Sequence, residues 1–152
     1  VRVRRPELAT ALDAYDLRVE LEGMAARLAA QRADVDGRAA LTLLLEQVEA
    51  SEADDVAAQV EADMVFHRTV AKLSASEPLQ LALETLAGYL TPLKVLTRDQ
   101  NASAPTRIQH RTIATAIQGG DGSEAERAMR VHVLHFRSIV ASRYTSESQV
   151  MP

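Results

Sequence analysis

Five side chains carry most of the chemistry this chain can offer: Asp63, His67, His110, His132 and His135. Asp63 and His67 stand four residues apart. On a helix that spacing leaves them about 40° apart around the axis, so both side chains leave one face. His67 also falls in line with Val60, Met64 and Ala71; His110 lies between Arg107-Ile108 and Ile113; His132 lies between Met129 and Phe136. Three segments thus each aim an imidazole at an apolar interior, and one of them adds a carboxylate. Taken singly, each imidazole reads as a hydrogen-bonded core residue and Asp63 as a solvated or salt-bridged acid. Taken together, three imidazole nitrogens and a carboxylate oxygen form a ligand set suited to Zn, Ni, Mn or Fe. His135 reads as a residue beside such a site or on the surface.

The elements that must position these residues are helical. Ala and Leu are abundant, aromatic residues make up only 3% of the chain, and no stretch sustains strand-like alternation between turn residues. Periodicity and breakers predict six helices, over about 6–32, 36–53, 55–73, 78–99, 105–118 and 123–144. Their expected apolar stripes are Leu17, Leu21, Met24 and Leu28 on the first helix, Leu41, Leu44, Leu45 and Val48 on the second, Ile108, Ile113 and Ile117 on the fifth, and Met129, His132, Phe136 and Ile139 or Val140 on the sixth. The third carries Val56, Val60, Met64 and His67, and the fourth Leu79, Leu83, Leu86, Leu90 and Leu93. Pro92 inside the fourth predicts a kink. Gly119-Gly120-Asp121-Gly122 ends the fifth sharply, and Ser123 with Glu126 resembles a capping box opening the sixth. Six helices with short connections imply an all-α antiparallel bundle, with the candidate metal site at its centre.

Composition narrows the function. The chain has 152 residues, 17 Lys+Arg and 21 Asp+Glu, for a net charge of −4 with 47% apolar residues. That is a single globular domain in size, and its acidic balance argues against binding nucleic acid unaided. Without Cys there are no disulfides, thiolate ligands or Cys nucleophiles. No apolar run is long enough for a bilayer and no signal-peptide pattern opens the chain, so a cytoplasmic protein without membrane contact is expected. No Glu-x-x-His pair, His-Glu-x-x-His motif, phosphate-binding Gly loop or Gly-x-Ser-x-Gly elbow is present. A small helical metalloenzyme using the three-His, one-Asp set remains the alternative to a binding domain; its conceivable base, Glu61, lies two residues from Asp63 and is expected to point elsewhere.

In order and spacing, several segments resemble the C-terminal ligand-binding (FCD) domain of FadR-type regulators in the GntR family. These are Leu17-Arg18-Val19-Glu20, Asp63-Met64-Val65-Phe66-His67, Gln109-His110-Arg111-Thr112-Ile113, Gly120-Asp121 and Ala128-Met129-Arg130-Val131-His132. The six-helix count resembles the VanR-type subgroup. The resemblance implies the sensor half of a bacterial transcription factor, not an enzyme. Such a domain forms a homodimer and binds a small organic acid, and it meets operator DNA only through a winged-helix domain N-terminal to it. It also implies that Asp63, His67, His110 and His132 bind a divalent transition metal, foremost Zn, and that Arg18 contacts the effector; a salt bridge from Arg18 to Asp63 or Glu22 is the alternative. Two departures stand out. Gln109 takes the place of a Glu before His110, which bears on support for that ligand, and Ser76-Glu77 replaces Gly-Asn before Pro78. Opening on Val1, the chain is expected to be part of a longer protein. Residues 1–8 then form a linker remnant carrying Arg2, Arg4 and Arg5, residues 9–145 the domain, and residues 146–152 a disordered tail.

Overall fold

A computed structural model describes residues 6–50, 55–101 and 103–148. Six α-helices account for most of them: α1 Leu8–Arg32, α2 Val35–Ala50, α3 Val56–Leu73, α4 Glu77–Leu90, α5 Ala104–Gln118 and α6 Gly122–Ser148. No strand occurs among the described residues, and the fold is an all-α bundle.

α1 is the axis of the bundle. It packs on α3, α4 and α5 and runs along α6 more extensively than along any other element. Its buried face is made largely of small residues, with Ala11, Ala14, Ala25, Ala26 and Ala29 all in the core. Small side chains let the two backbones approach closely. At Gly23 a Cβ would stand 2.9 Å from the Arg130 Cγ of α6, so the crossing leaves no room for one. This corrects the stripe expected for α1. Leu17 is 59% and Met24 41% exposed, and Leu21 and Leu28 are only partly buried. The alanine face wins because it makes the closer helix–helix contact, which turns the leucines outward.

The other stripes match their expected faces more closely. Leu79, Leu90 and Leu93 are buried, as are Ile113, Ile117, Met129, Phe136 and Val140. On α3 Phe66 and Val70 are fully buried, whereas Val56 is 39% exposed, and on α5 the expected Ile108 is 63% exposed. Val48 of the α2 stripe has a side chain outside the described residues.

Helix ends follow local chemistry. Asp55 caps α3 by accepting from Ala58 N at 3.0 Å, and Ser103 caps α5 by accepting from Thr106 N at 3.3 Å. Asp121, rather than Ser123, caps α6: its carboxylate accepts the Glu124 N–H at 3.0 Å, satisfying an N–H that the helix leaves without a partner. Pro92 does not kink one long helix. α4 stops at Leu90 and a 3-10 segment, Thr91–Leu96, carries the chain on, because Pro92 has no N–H to continue the α-helical ladder. α6 extends through Ser148, so residues 146–148 of the expected tail are helical. Residues 1–5, with the arginines expected in a linker, and 149–152 lie outside the described residues. No described helix is long and apolar enough to cross a membrane.

Candidate metal centre

The bundle gathers Asp63 and His67 of α3, His110 of α5 and His132 of α6 into one cluster. One ligand atom from each lies within 4.8 Å of all the others. His110 and His132 are buried, at 3% and 1% exposure. Asp63 and His67 face the same interior from their single turn of α3. Ring packing fixes the imidazoles: Phe66 stacks on His110 with centroids 4.2 Å apart, and Phe136 leans on His132 at 5.1 Å. Both phenylalanines belong to the buried core, so the same packing that holds the bundle together orients the rings.

Two of the three imidazoles send a ring proton outward. The Nδ1–H of His67 donates to Glu22 Oε2 on α1, and the Nδ1–H of His132 donates to Gln109 Oε1 at 2.9 Å. That leaves the two Nε2 atoms facing each other at 3.2 Å. Asp63 Oδ1 lies 3.3 Å from His110 Nε2 and 3.6 Å from His67 Nε2. Neither contact is aligned as a hydrogen bond, and Asp63 Oδ1 and His110 Nε2 are buried without a partner. Buried polar atoms rarely stay unsatisfied. Two ligands about 2.0–2.2 Å from a shared ion stand about 3.0–3.5 Å apart when adjacent, which is the spacing seen here. The residues therefore fit a metal: four donors converge, two lack any other partner, and two imidazoles are oriented by outward hydrogen bonds of the kind that metal-ligating histidines make.

The electrostatics agree. Burial lowers His67, but the Glu22 carboxylate overrides it and holds the imidazole up at about 9. In the metal-free protein near neutral pH, His67 thus carries the extra proton, and its Nε2–H can donate to His132. Burial, together with the neighbouring His110 and His67, holds His132 well below its ordinary value, so it is neutral. Burial raises Asp63, yet the charge of His67 and the approach of His110 keep it ionised, well below the usual carboxylate range. Glu22 is likewise held at about 2: burial opposes its charge, and Arg18 and then His67 favour it. An anionic carboxylate and a neutral His132 are already in ligand form, and a cation would take the place of the proton on His67.

Arg18 pairs with Glu22 through Nε, the salt bridge named as its alternative role, and also borders a cavity beside the cluster. That cavity has a volume of about 760 Å³ and is bordered by Tyr15, Arg18, Glu22, Asp63 and His67, by residues of α4 and by Lys94. His135 is not in the ligand set; its ring packs edge-on against Phe136. Glu61 is exposed and pairs with Arg68 at 2.8 Å, and it borders the same cavity as Asp63 without joining the cluster. Two supporting residues exceed the sequence reading. Glu22 appears there only as a partner for Arg18, and Gln109 only as support for His110, whereas it holds His132. The i, i+4 spacing of Arg18 and Glu22 signals their pairing, but no local pattern ties Glu22 to a residue 45 positions away.

No curated protein matches the chain. The FCD domain family matches residues 13–135, a span that runs from the second turn of α1 to the middle of α6 and includes all four clustered residues. The chain therefore belongs to the FCD domain family, the C-terminal domain of GntR/FadR-type regulators.

Proposed function

We propose that this domain is the metal-containing sensor of a cytoplasmic bacterial transcriptional regulator. Asp63, His67, His110 and His132 hold one first-row divalent ion, Zn foremost, and a small organic acid completes its coordination. The reading rests on one observation above all: Asp63 Oδ1 and His110 Nε2 are buried, unpartnered and aimed at the same point as two imidazole Nε2 atoms. Four protein donors leave one or two positions on a five- or six-coordinate ion, and the adjoining cavity gives a ligand access to them. Two positive charges against the single charge of Asp63 favour an anion in a site where burial strengthens pairing. Arg18, on the cavity wall, adds a donor to the same acid through nitrogens beyond the Nε committed to Glu22.

Such a regulator reads two half-sites as a homodimer through its winged-helix domains. An apolar groove supports a second copy as the partner of this domain. Leu17 and Leu21 of α1 and Leu81 and Tyr89 of α4 border it, and Leu17, Leu81 and Tyr89 are 59%, 64% and 46% exposed. Sedimentation of the wild type and Leu81→Glu tests this: a dimer that the charge converts to monomer is expected, and a wild type that is monomeric at tens of micromolar overturns it.

Metal analysis followed by calorimetry tests the sensor. One equivalent of metal is expected in chelator-free protein, together with carboxylate binding that vanishes when the metal is stripped. Carboxylate binding that persists unchanged without metal overturns direct coordination, and unaltered affinity in Arg18→Ala removes Arg18 from the effector site.

A further inference from the structure

The cavity beside the cluster has a second charged feature. Lys94 reaches it from the 3-10 segment, an element other than α3, which brings Asp63 and His67 to the same cavity. Among the described residues Lys94 has no hydrogen-bonded or ion-pair partner for its ammonium, although it is half-buried. The other cations of the cavity are committed or remote: Arg18 is held by Glu22, Arg68 by Glu61 at 2.8 Å, and Lys72 is exposed. Burial lowers Lys94 from its ordinary value, and Asp63 is the strongest charge acting on it in the opposite sense. An ammonium withdrawn from water and left without a counter-ion is costly unless a ligand supplies one.

We propose that Lys94 binds a second carboxylate, so that the acid taken up by this domain is an aliphatic dicarboxylate. The inference rests on the reading of the cluster as a metal centre that takes a carboxylate. The inner part of the cavity then contains a divalent ion, Arg18 and Lys94, with four positive charges, against Asp63 and Glu22 with two negative ones. The surplus of two matches a dianion. A monocarboxylate leaves Lys94 unpaired. The wall contributed by α4 carries Leu83, Leu86 and Leu90 beside Gln80 and Glu84, and its leucines suit a methylene spacer. Asn101, buried and also bordering the cavity, offers a neutral amide donor. The volume of about 760 Å³ exceeds what a one- or two-carbon acid fills and lies within the range of small-molecule pockets.

Calorimetry on metal-loaded protein with matched acids of three to six carbons, mono- and dicarboxylate at each length, tests this. At the best length the dicarboxylate is expected to bind about tenfold tighter or more. Lys94→Met, which keeps the apolar stem, should abolish that preference while leaving the monocarboxylate affinity in place. Lys94→Arg should restore the preference, and Lys72→Met should keep it. Circular dichroism melts confirm that each variant is folded. Equal binding of the paired acids by the wild type, or a preference that survives Lys94→Met, overturns the role of Lys94 and leaves the metal-bound carboxylate standing. If no acid of either series binds the metal-loaded protein, both readings fall.

Discussion

Glu22 of α1 accepts the Nδ1–H of His67 of α3 while its other oxygen takes the Arg18 guanidinium. One buried carboxylate therefore fixes a ligand's tautomer, presents its Nε2 to the cluster and ties the cavity arginine in place. Glu22→Gln keeps the shape and loses the charge. Removing such an outer partner costs about 10–100-fold in metal affinity. Competition with a chromophoric chelator should show that loss with the helical circular dichroism spectrum unchanged. Wild-type affinity in this variant would show that the carboxylate only packs.

His132 supplies one of the four donors of the cluster. His132→Ala should lose stoichiometric metal, and its melting temperature should no longer respond to added chelator. The wild type should melt lower once stripped, because an ion that binds only the folded state stabilises it by mass action. Equal metal content in the two proteins would remove His132 from the ligand set.

A pH response lies outside the four-residue cluster. Arg143 of α6 donates Nη2–H to Asp99 at 2.9 Å and Nη1–H to Leu96 O at 2.7 Å, pinning the end of the 3-10 segment. Its hydrogen bonds hold Asp99 at about 2. A carboxyl depressed in the folded state adds stability above its unfolded value of about 3.9. It loses that stability as pH falls toward about 2. The pair is half-exposed, so the contribution is about 1 kcal/mol or less. In metal-free protein, urea unfolding should show Asp99→Asn less stable than wild type at pH 6, with the gap narrowing below about pH 4. A gap independent of pH would contradict the assignment.

Ala75 follows the C-terminus of α3 with φ at 50°, a left-handed conformation that suits Gly. Ala75→Gly should stabilise the domain by about 0.5–1 kcal/mol, read as a higher urea midpoint at unchanged slope. A loss of stability would mean that the Ala75 methyl makes a contact worth more than the backbone strain.

The sequence alone determined the helical elements and the identity of the clustered residues. Helical periodicity is local, and a four-residue spacing places Asp63 and His67 together whatever lies opposite. The stops at Gly119-Gly120 and the break near Pro78 are equally local, because they follow from backbone chemistry. Which face of α1 turns inward was decided only in the tertiary structure. Leu17, Leu21, Met24 and Leu28 form the more hydrophobic row, yet the alanines win because they admit α6 at close range, and Gly23 makes that approach possible. The same rotation of α1 carries Glu22 to His67 and Arg18 to the cavity wall. Likewise, Gln109 precedes His110 in the chain but serves His132, because consecutive residues on a helix diverge by about 100° and only the packing of α5 on α6 determines what each of them meets.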